Sequence, residues 1–183
     1  MDIGEEDSLP KQGKRVLLRR LSLEDLSAFQ SYRHDEEVGR YQGWEPWPDP
    51  KALSFLEAMG TAELLQPDTW CQIGIADRAS GTLIGDIGIC VRAKENEAEI
   101  GFSLHTQHQG RGLATEAVGL AADLLFEHTS IRRIVCITDA RNLAAIQLLR
   151  RLGMEHVRTE NAIFRGEPCQ EHAYLLSRKA HLS

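Results

Sequence analysis

Residues 99–115 read EIGFSLHTQHQGRGLAT, from Glu99 to Thr115, and join a strand pattern to a helix pattern through two glycines. Residues 97–104 are typical of a β-strand, and residues 114–128 repeat apolar side chains at helical spacing. The two glycines between them, Gly110 and Gly112, let the backbone turn sharply and leave its N–H groups uncovered. Because the positive end of the following helix points at the same place, this segment predicts a binding site for an anion, most naturally a pyrophosphate.

Two familiar nucleotide-binding loops do not fit these glycines. No Lys-Ser or Lys-Thr follows them, as the NTPase phosphate loop requires. Thr115 stands where the dinucleotide-binding GxGxxG motif has its third glycine. For a lone Gly-x-Gly before a helix, a plain turn and helix cap without a ligand is the alternative interpretation.

On both sides of this segment the sequence predicts further strands and helices. Ser22, with Asp25 three residues later, is a variant capping box that opens the first helix, and Asp49 is predicted to cap the second, with Pro50 at its first position. The other expected elements are strands at 16–20, 70–77, 82–91, 134–138, 155–160 and 170–177, helices at 22–33, 49–65 and 143–152, and a loop at 38–50.

This order of elements indicates a mixed α/β domain with a central, largely antiparallel sheet. A chain of 183 residues fits one domain, which we place at residues 15–179 after a polar leader at 1–14.

The net charge of −6 disfavours nucleic-acid binding. The acidic N-terminus and the lack of an apolar run of about 18 residues predict a cytoplasmic protein without a membrane partner. The four cysteines form no CxxC pair, so we expect core thiols and no metal site.

The pattern Q-x-x-G-x-G, filled by Gln107, Gly110 and Gly112, resembles the acetyl-CoA signature of the GNAT superfamily of N-acetyltransferases. From Gly81 to Tyr174 the chain is similar to the branch that acetylates ribosomal-protein N-termini, the Rim type (RimJ/RimL-like). The segments that carry this resemblance are residues 83–88, 98–102, 110–117, 142 and 152–154.

The resemblance implies a GNAT fold, with a mostly antiparallel sheet of six to seven strands, about four flanking helices and splayed strands at the cofactor site. It implies acetyl-CoA as the acetyl donor, with the strand near residue 103 pairing with the pantetheine arm and the glycine loop holding the pyrophosphate. Asn142 is the family's asparagine after the next strand, although a plain helix cap is its alternative role. The residues assigned to the cofactor are Phe102, Ser103, Leu104, Gln109, Gly110, Arg111, Gly112, Leu113, Ala114, Thr115 and Asn142.

Glu99 is the candidate catalytic base, because many members of the superfamily supply a carboxylate from this strand that acts through water. Because side chains alternate between the two faces of a strand, Glu99 shares a face with Gly101 and Ser103. Its alternative role is that of a solvated carboxylate on the strand. Asp86 on the neighbouring strand is a weaker substitute. No general acid is evident, since Ala145 stands where the Rim branch often has a serine, and Tyr174 is a distant candidate.

The acceptor site is expected in the segment from Tyr41 to Pro50, the part least like the family. Trp44 and Trp47 are the candidate substrate-binding residues, through contact of a cationic amine with their ring faces, and core packing is the alternative. The acceptor is a protein N-terminal amine or a small-molecule amine, with an aminoglycoside or polyamine suggested by nearby acidic residues. A non-catalytic acyl-CoA-binding regulatory module is the rival interpretation. A monomer or a homodimer fits the sequence equally well.

Overall fold

The computed structural model describes residues 8–183, and residues 1–7 of the predicted leader lie outside this range. The elements in chain order are β1 (Lys11–Gln12), β2 (Val16–Arg19), α1 (Leu26–Arg33), α2 (Glu36–Gly39), α3 (Asp49–Thr61), β3 (Trp70–Asp77), β4 (Leu83–Arg92), β5 (Glu97–Leu104), α4 (Leu113–His128), β6 (Arg133–Asp139), α5 (Leu143–Arg151), β7 (Glu155–Phe164), β8 (Glu167–Ser177) and α6 (Arg178–His181).

Within the described range, the strands form one sheet of eight in the order β1-β2-β3-β4-β5-β6-β8-β7. All neighbouring strands are antiparallel except β5 and β6, which run parallel. The parallel pairing covers only Glu97–Glu99 against Arg133–Val135. Beyond it the two strands diverge, so the sheet opens into a V between residues 100–104 and 136–139.

Each face of the sheet carries its own core. On one face α4 and α5 cover the larger core, and α4 contributes fully buried side chains at Ala117, Ala121, Leu124 and Leu125. This spacing places one stripe of the helix against the sheet, and each buried leucine contributes about 1.5–3 kcal/mol relative to an exposed one. On the other face α1 and α3 cover a smaller core that is confined to one end of the sheet. The rest of that face is left without a helix.

The predicted fold class is confirmed: the molecule is a mixed α/β domain with a mostly antiparallel sheet and splayed strands. The capping box is present, with Asp25 accepting from the backbone N–H of Ser22 at 2.9 Å. The described sheet has one strand more than expected, because β1 lies within the predicted leader and pairs with β2. The cap of α3 was wrong by one position, since Pro48 is the N-cap and Asp49 the first helical residue.

None of the helices described in residues 8–183 is long and apolar enough to cross a membrane.

Candidate active site

The open edge of β5 faces into the V. Gln42 donates from Nε2 to the carbonyl oxygen of Phe102 at 3.0 Å, and Gln109 donates in the same way to the carbonyl of Leu104 at 2.8 Å. Since the N–H and C=O of one residue point to the same side of an antiparallel strand, the N–H groups of Phe102 and Leu104 also point away from β4. The V therefore presents backbone donors along one of its arms.

Directly after β5, the glycine loop turns the chain into α4. Gly110 and Gly112 have φ values of 73° and 75°, the left-handed conformation that glycine adopts at little cost. Gly112 is the N-cap of α4, whose first N–H groups have no partner within the helix. The loop and helix end thus form the anion site that the sequence predicts, next to the open edge of β5.

One cavity of about 420 Å³ joins this loop to the V. Every residue that the sequence assigned to the cofactor lines it, with the exception of Arg111. The Arg111 side chain instead folds back on its own loop and donates from Nη2 to the carbonyl of Gln107 at 2.8 Å. The residues in the lining that the sequence did not assign are Glu37, Val38, Arg40, Tyr41, Gln42, His108, Ala144, Ala145, Gln147, Leu148 and Arg151.

Asn142 lies where α5 begins and lines the cavity. Its Oδ1 accepts from the backbone N–H of Ala145 at 3.2 Å, so it caps the helix as well. Among the described α5 residues in the lining there is no hydroxyl that could protonate a leaving group. The phenol in the lining belongs instead to Tyr41, and Tyr174 is buried in the core, paired across the sheet with Cys136 and His156.

The segment after α2 bridges the V. Gln42 is bonded to the β5 arm, as described above, while the Tyr41 ring lies 5.7 Å from the Arg141 guanidinium, which follows the β6 arm and pairs with Asp139 at 2.7 Å. From the tip of the β7–β8 hairpin, Arg165 donates to the carbonyl of Gly39 at 3.0 Å. These contacts hold residues 39–42 across the mouth of the cavity.

Glu99 lies on the face of β5 that α1 and α3 leave partly uncovered. Its Oε2 accepts from Arg92 Nη2 at 2.6 Å, and its side chain does not line the cavity. Gly101 separates Glu99 from Ser103, and a Cβ built on Gly101 meets no atom within 4 Å. The surface above Gly101, between the Glu99 side chain and the V, is therefore open.

Asp86 holds a structural position rather than an accessible one. It is 1% exposed and accepts hydrogen bonds from Tyr32 Oη, Arg33 Nη2 and Gln72 Nε2, which fix α1 to the sheet. Burial and the neighbouring carboxylate raise the pKa of Tyr32 well above its usual range. The described geometry thus gives Asp86 no open path to the cavity.

Neither Trp44 nor Trp47 lines the cavity. Trp44 packs over the Arg33 guanidinium at 4.5 Å and donates from Nε1 to Ser103 Oγ at 3.2 Å. Trp47 packs against Phe55 with ring centroids 5.2 Å apart. The role of these residues in substrate binding stays a prediction, and their contacts favour the packing alternative.

The charges around the cavity suit an anionic ligand. The described lining contains one carboxylate, that of Glu37, which pairs with Arg40 at 3.6 Å. The lining also contains a second arginine, Arg151. Burial, with the neighbouring His105 and Arg111, lowers the pKa of His108 from its usual value and so disfavours a positive charge on this imidazole. The positive charge in the lining that has no carboxylate partner among the described contacts is Arg151, and the first N–H groups of α4 add their partial charges.

Comparison with known proteins gives the same picture as the geometry. Residues 15–155 match the model of the acetyltransferase (GNAT) domain family. The chain is 29% identical over 144 residues to p20 of Bacillus licheniformis, described as an uncharacterized N-acetyltransferase, covering 78% of this chain and 80% of the relative.

Two solved structures share the fold at low sequence identity. RimL, a ribosomal L7/L12 alpha-N-protein acetyltransferase in complex with coenzyme A, superposes with a TM-score of 0.80 at 15% identity, covering 93% of this chain and 98% of RimL. Spermidine N-acetyltransferase from Vibrio cholerae, in complex with CoA and spermine, superposes with a TM-score of 0.77 at 18% identity, covering 93% of this chain and 100% of that enzyme. At these identities the likeness is one of fold.

Proposed function

Because the chain belongs to the GNAT acetyltransferase family and is an N-acetyltransferase, we propose that its donor is acetyl-CoA and its acceptor an α-amino group, as in the Rim-type branch. The observation that carries the donor assignment is a single cavity that joins an anion-binding helix start to the open edge of a β-strand. A pyrophosphate fits the first part and an extended, amide-containing arm fits the second. RimL, a structural neighbour, is seen with coenzyme A, which supports the same donor.

The residues around the cavity fit this donor. A Cβ built on Gly110 meets no atom within 4 Å, so the backbone of the loop is open to close approach from outside. The N–H groups of Phe102 and Leu104 are oriented to pair with the amides of pantetheine, as a neighbouring strand would. These residues hold the thioester end of the donor at the V and its phosphates at the start of α4.

The reaction joins the amine nitrogen to the acetyl carbon and breaks the bond from that carbon to sulfur. An N–H of the open β5 edge is the donor that stabilises the oxyanion formed on attack. Glu99, acting through water held at the open surface above Gly101, takes the proton that the amine loses. The thiolate can leave without an acid from α5, because a thiol pKa near 8.5 makes it a fair leaving group at neutral pH.

The charge of the cavity supports an α-amine over a polyamine. A polyamine calls for several unpaired carboxylates, and the described lining has Glu37 alone, already paired with Arg40. An α-amino group has a pKa of about 7.7–8.0 and is partly neutral at pH 7, whereas a lysine amine near 10.4 is almost fully charged. An α-amine therefore depends less on deprotonation by Glu99, whose side chain lies outside the cavity lining.

The test is an assay of thiol release from acetyl-CoA against matched amines. The panel contains a peptide with a free N-terminus, the same peptide with its N-terminus blocked and a free lysine side chain, and spermidine. We expect acetylation of the free α-amine, confirmed by mass spectrometry, and none of the blocked peptide. Preference for spermidine would overturn the acceptor assignment. Binding of CoA without acetylation of any amine would instead support the regulatory module.

A further inference from the structure

One carboxylate fastens the residue before β2 to the first turn of α4. Glu116 Oε1 accepts from the backbone N–H groups of Arg15 at 2.7 Å and Val16 at 3.3 Å, and Glu116 Oε2 accepts from Arg15 Nε at 3.0 Å. Burial alone raises the pKa of Glu116, but these hydrogen bonds outweigh it and hold the pKa below its usual value. The carboxylate is therefore ionised at neutral pH and holds the Arg15 side chain in one place.

From that position the same guanidinium reaches the glycine loop. Arg15 Nη1 donates to the carbonyl oxygen of Arg111 at 2.7 Å, and Arg15 Nη2 lies 3.4 Å from where a Cβ on Gly112 would be. Arg15 is not part of the cavity lining, whereas Gly112 is. The arginine thus supports the loop from outside the cavity.

The orientation of one peptide plane follows from this contact. In a trans peptide the carbonyl of residue 111 and the N–H of residue 112 point in opposite directions. With the Arg111 carbonyl turned outward to Arg15, the Gly112 N–H is turned toward the cavity. Gly112, which borders this plane and carries no side chain, lets it rotate at low cost, so the loop sequence by itself does not fix its direction.

We propose that Arg15 is a positioning residue for donor binding: it fixes the Arg111–Gly112 peptide so that the Gly112 N–H faces the pyrophosphate of acetyl-CoA. This inference rests on the proposed function. Glu116 holds the guanidinium in place, and the planar fork donates to both partners at once. The positive charge is balanced by Glu116, so the effect on the donor is one of geometry more than of net attraction.

Two variants test the proposal. Arg15→Ala removes the support, and Arg15→Lys keeps the charge but not the rigid fork. Losing one oriented donor to a charged group is expected to raise the Kd for CoA roughly ten- to a hundredfold in both, measured by calorimetry. Turnover of S-acetylpantetheine, which carries the thioester but no pyrophosphate, stays at the wild-type kcat/KM. If Arg15→Ala does not fold, Arg15→Lys decides the question.

The chain offers a matched control in Arg19→Ala. Arg19 lies at the other end of β2, forms an equivalent pair with Asp25 at 2.8 Å and donates to the carbonyl of Gly81 at 3.0 Å, away from the cavity. We expect this variant to bind CoA with wild-type affinity, even if its free energy of unfolding is lower.

Three results overturn the proposal: unchanged CoA affinity in both Arg15 variants, full rescue by lysine, or a parallel loss with S-acetylpantetheine. A wild-type protein that does not bind CoA would instead refute the proposed function itself.

Discussion

Gly101 lies directly opposite Gly88 in the antiparallel pairing of β4 and β5. Gly88 is covered by Trp70 and Gln72, while a side chain on Gly101 would project into open space. Gly101 therefore forms the floor of a small open area, here called the trench, on the face of the sheet that α1 and α3 do not cover. The trench lies between Glu99 and Ser103 on β5, and we propose it as the route by which an amine approaches the thioester.

The first prediction concerns this trench. Gly101→Leu is expected to lower kcat/KM for a peptide acceptor by at least about tenfold, because the new side chain occupies the path of the amine. CoA affinity and melting temperature should stay at wild-type values, since the added Cβ meets no atom within 4 Å. Gly119→Leu, on α4 and outside the cavity lining, is the matched control and should leave acceptor kinetics unchanged. Normal acceptor use by Gly101→Leu would place the acceptor elsewhere.

The second prediction concerns the base. Glu99→Gln is expected to lower kcat roughly 10²–10⁴-fold, the usual contribution of a positioned base, while CoA affinity stays unchanged. Glu97→Gln is a close control, because Glu97 lies on the same face of β5 and also pairs with an arginine, Arg133, at 2.8 Å. Equal effects in the two variants, or none in either, would show that Glu99 is a strand carboxylate held by Arg92.

The half of the chain from Gly81 onward could be predicted closely from sequence because its signals are local. The apolar period of α4 and the paired glycines before it each lie within a few residues, and the structure places all of the assigned cofactor residues but Arg111 around one cavity. Arg111 could not be predicted in this way. Its direction depends on the loop conformation, which turns the side chain back to Gln107.

Contacts between distant segments could not be predicted, because they leave no local pattern in the sequence. Gln42 and Phe102 are 60 positions apart, and Arg15 and Glu116 are 101 apart. The β7–β8 hairpin was predicted too short, with β7 ending at residue 160 and β8 beginning at residue 170. In the structure β7 continues to Phe164 and β8 begins at Glu167, because the chain reverses only at a tight turn in which Arg165 and Gly166 both have positive φ.

The third prediction tests the anion loop. Gly112→Asp should abolish stabilisation of the protein by CoA in a thermal-shift assay, because it adds a negative charge beside the phosphates and a side chain at φ 75°. Gly81→Asp provides a control with the same backbone strain, since Gly81 has φ 74° and lies outside the cavity. We expect both variants to melt at lower temperature and only Gly81→Asp to retain the shift with CoA. A retained shift in Gly112→Asp would refute the location of the site.

The fourth prediction separates packing from substrate binding at the tryptophans. Trp44→Ala is expected to cost about 2–3 kcal/mol in the free energy of unfolding, because the ring packs on Arg33 and Gly39. Trp47→Ala should cost about 1 kcal/mol, because its ring contacts Phe55 and Lys51 at the surface. Urea unfolding gives both values. Unchanged stability together with a raised KM for the acceptor would restore the role that the sequence suggested for these residues.

The fifth prediction concerns the pH dependence of stability. Folding lowers the pKa of Glu116 from its usual value, because hydrogen bonds from Arg15 and Val16 outweigh the effect of burial. A carboxyl whose pKa is lowered by folding stabilises the protein fully above its unfolded pKa, and this contribution is lost as the pH falls through the folded pKa. Wild type should therefore exceed Glu116→Gln by about 1–2 kcal/mol in the free energy of unfolding at pH 7.

That difference should shrink as the pH falls below about 4.5 and the carboxyl is protonated in both folded and unfolded chains. Glu127→Gln is the matched control on the same helix, because Glu127 is 56% exposed and pairs only with Lys11 in the described contacts. Surface pairs of this kind contribute about 0–1 kcal/mol, so this variant should follow the wild-type curve closely. Denaturant unfolding at a series of pH values between 3 and 7 makes the comparison. A gap between wild type and Glu116→Gln that is constant over this range would mean that the hydrogen bonds to Glu116 do not depend on its charge.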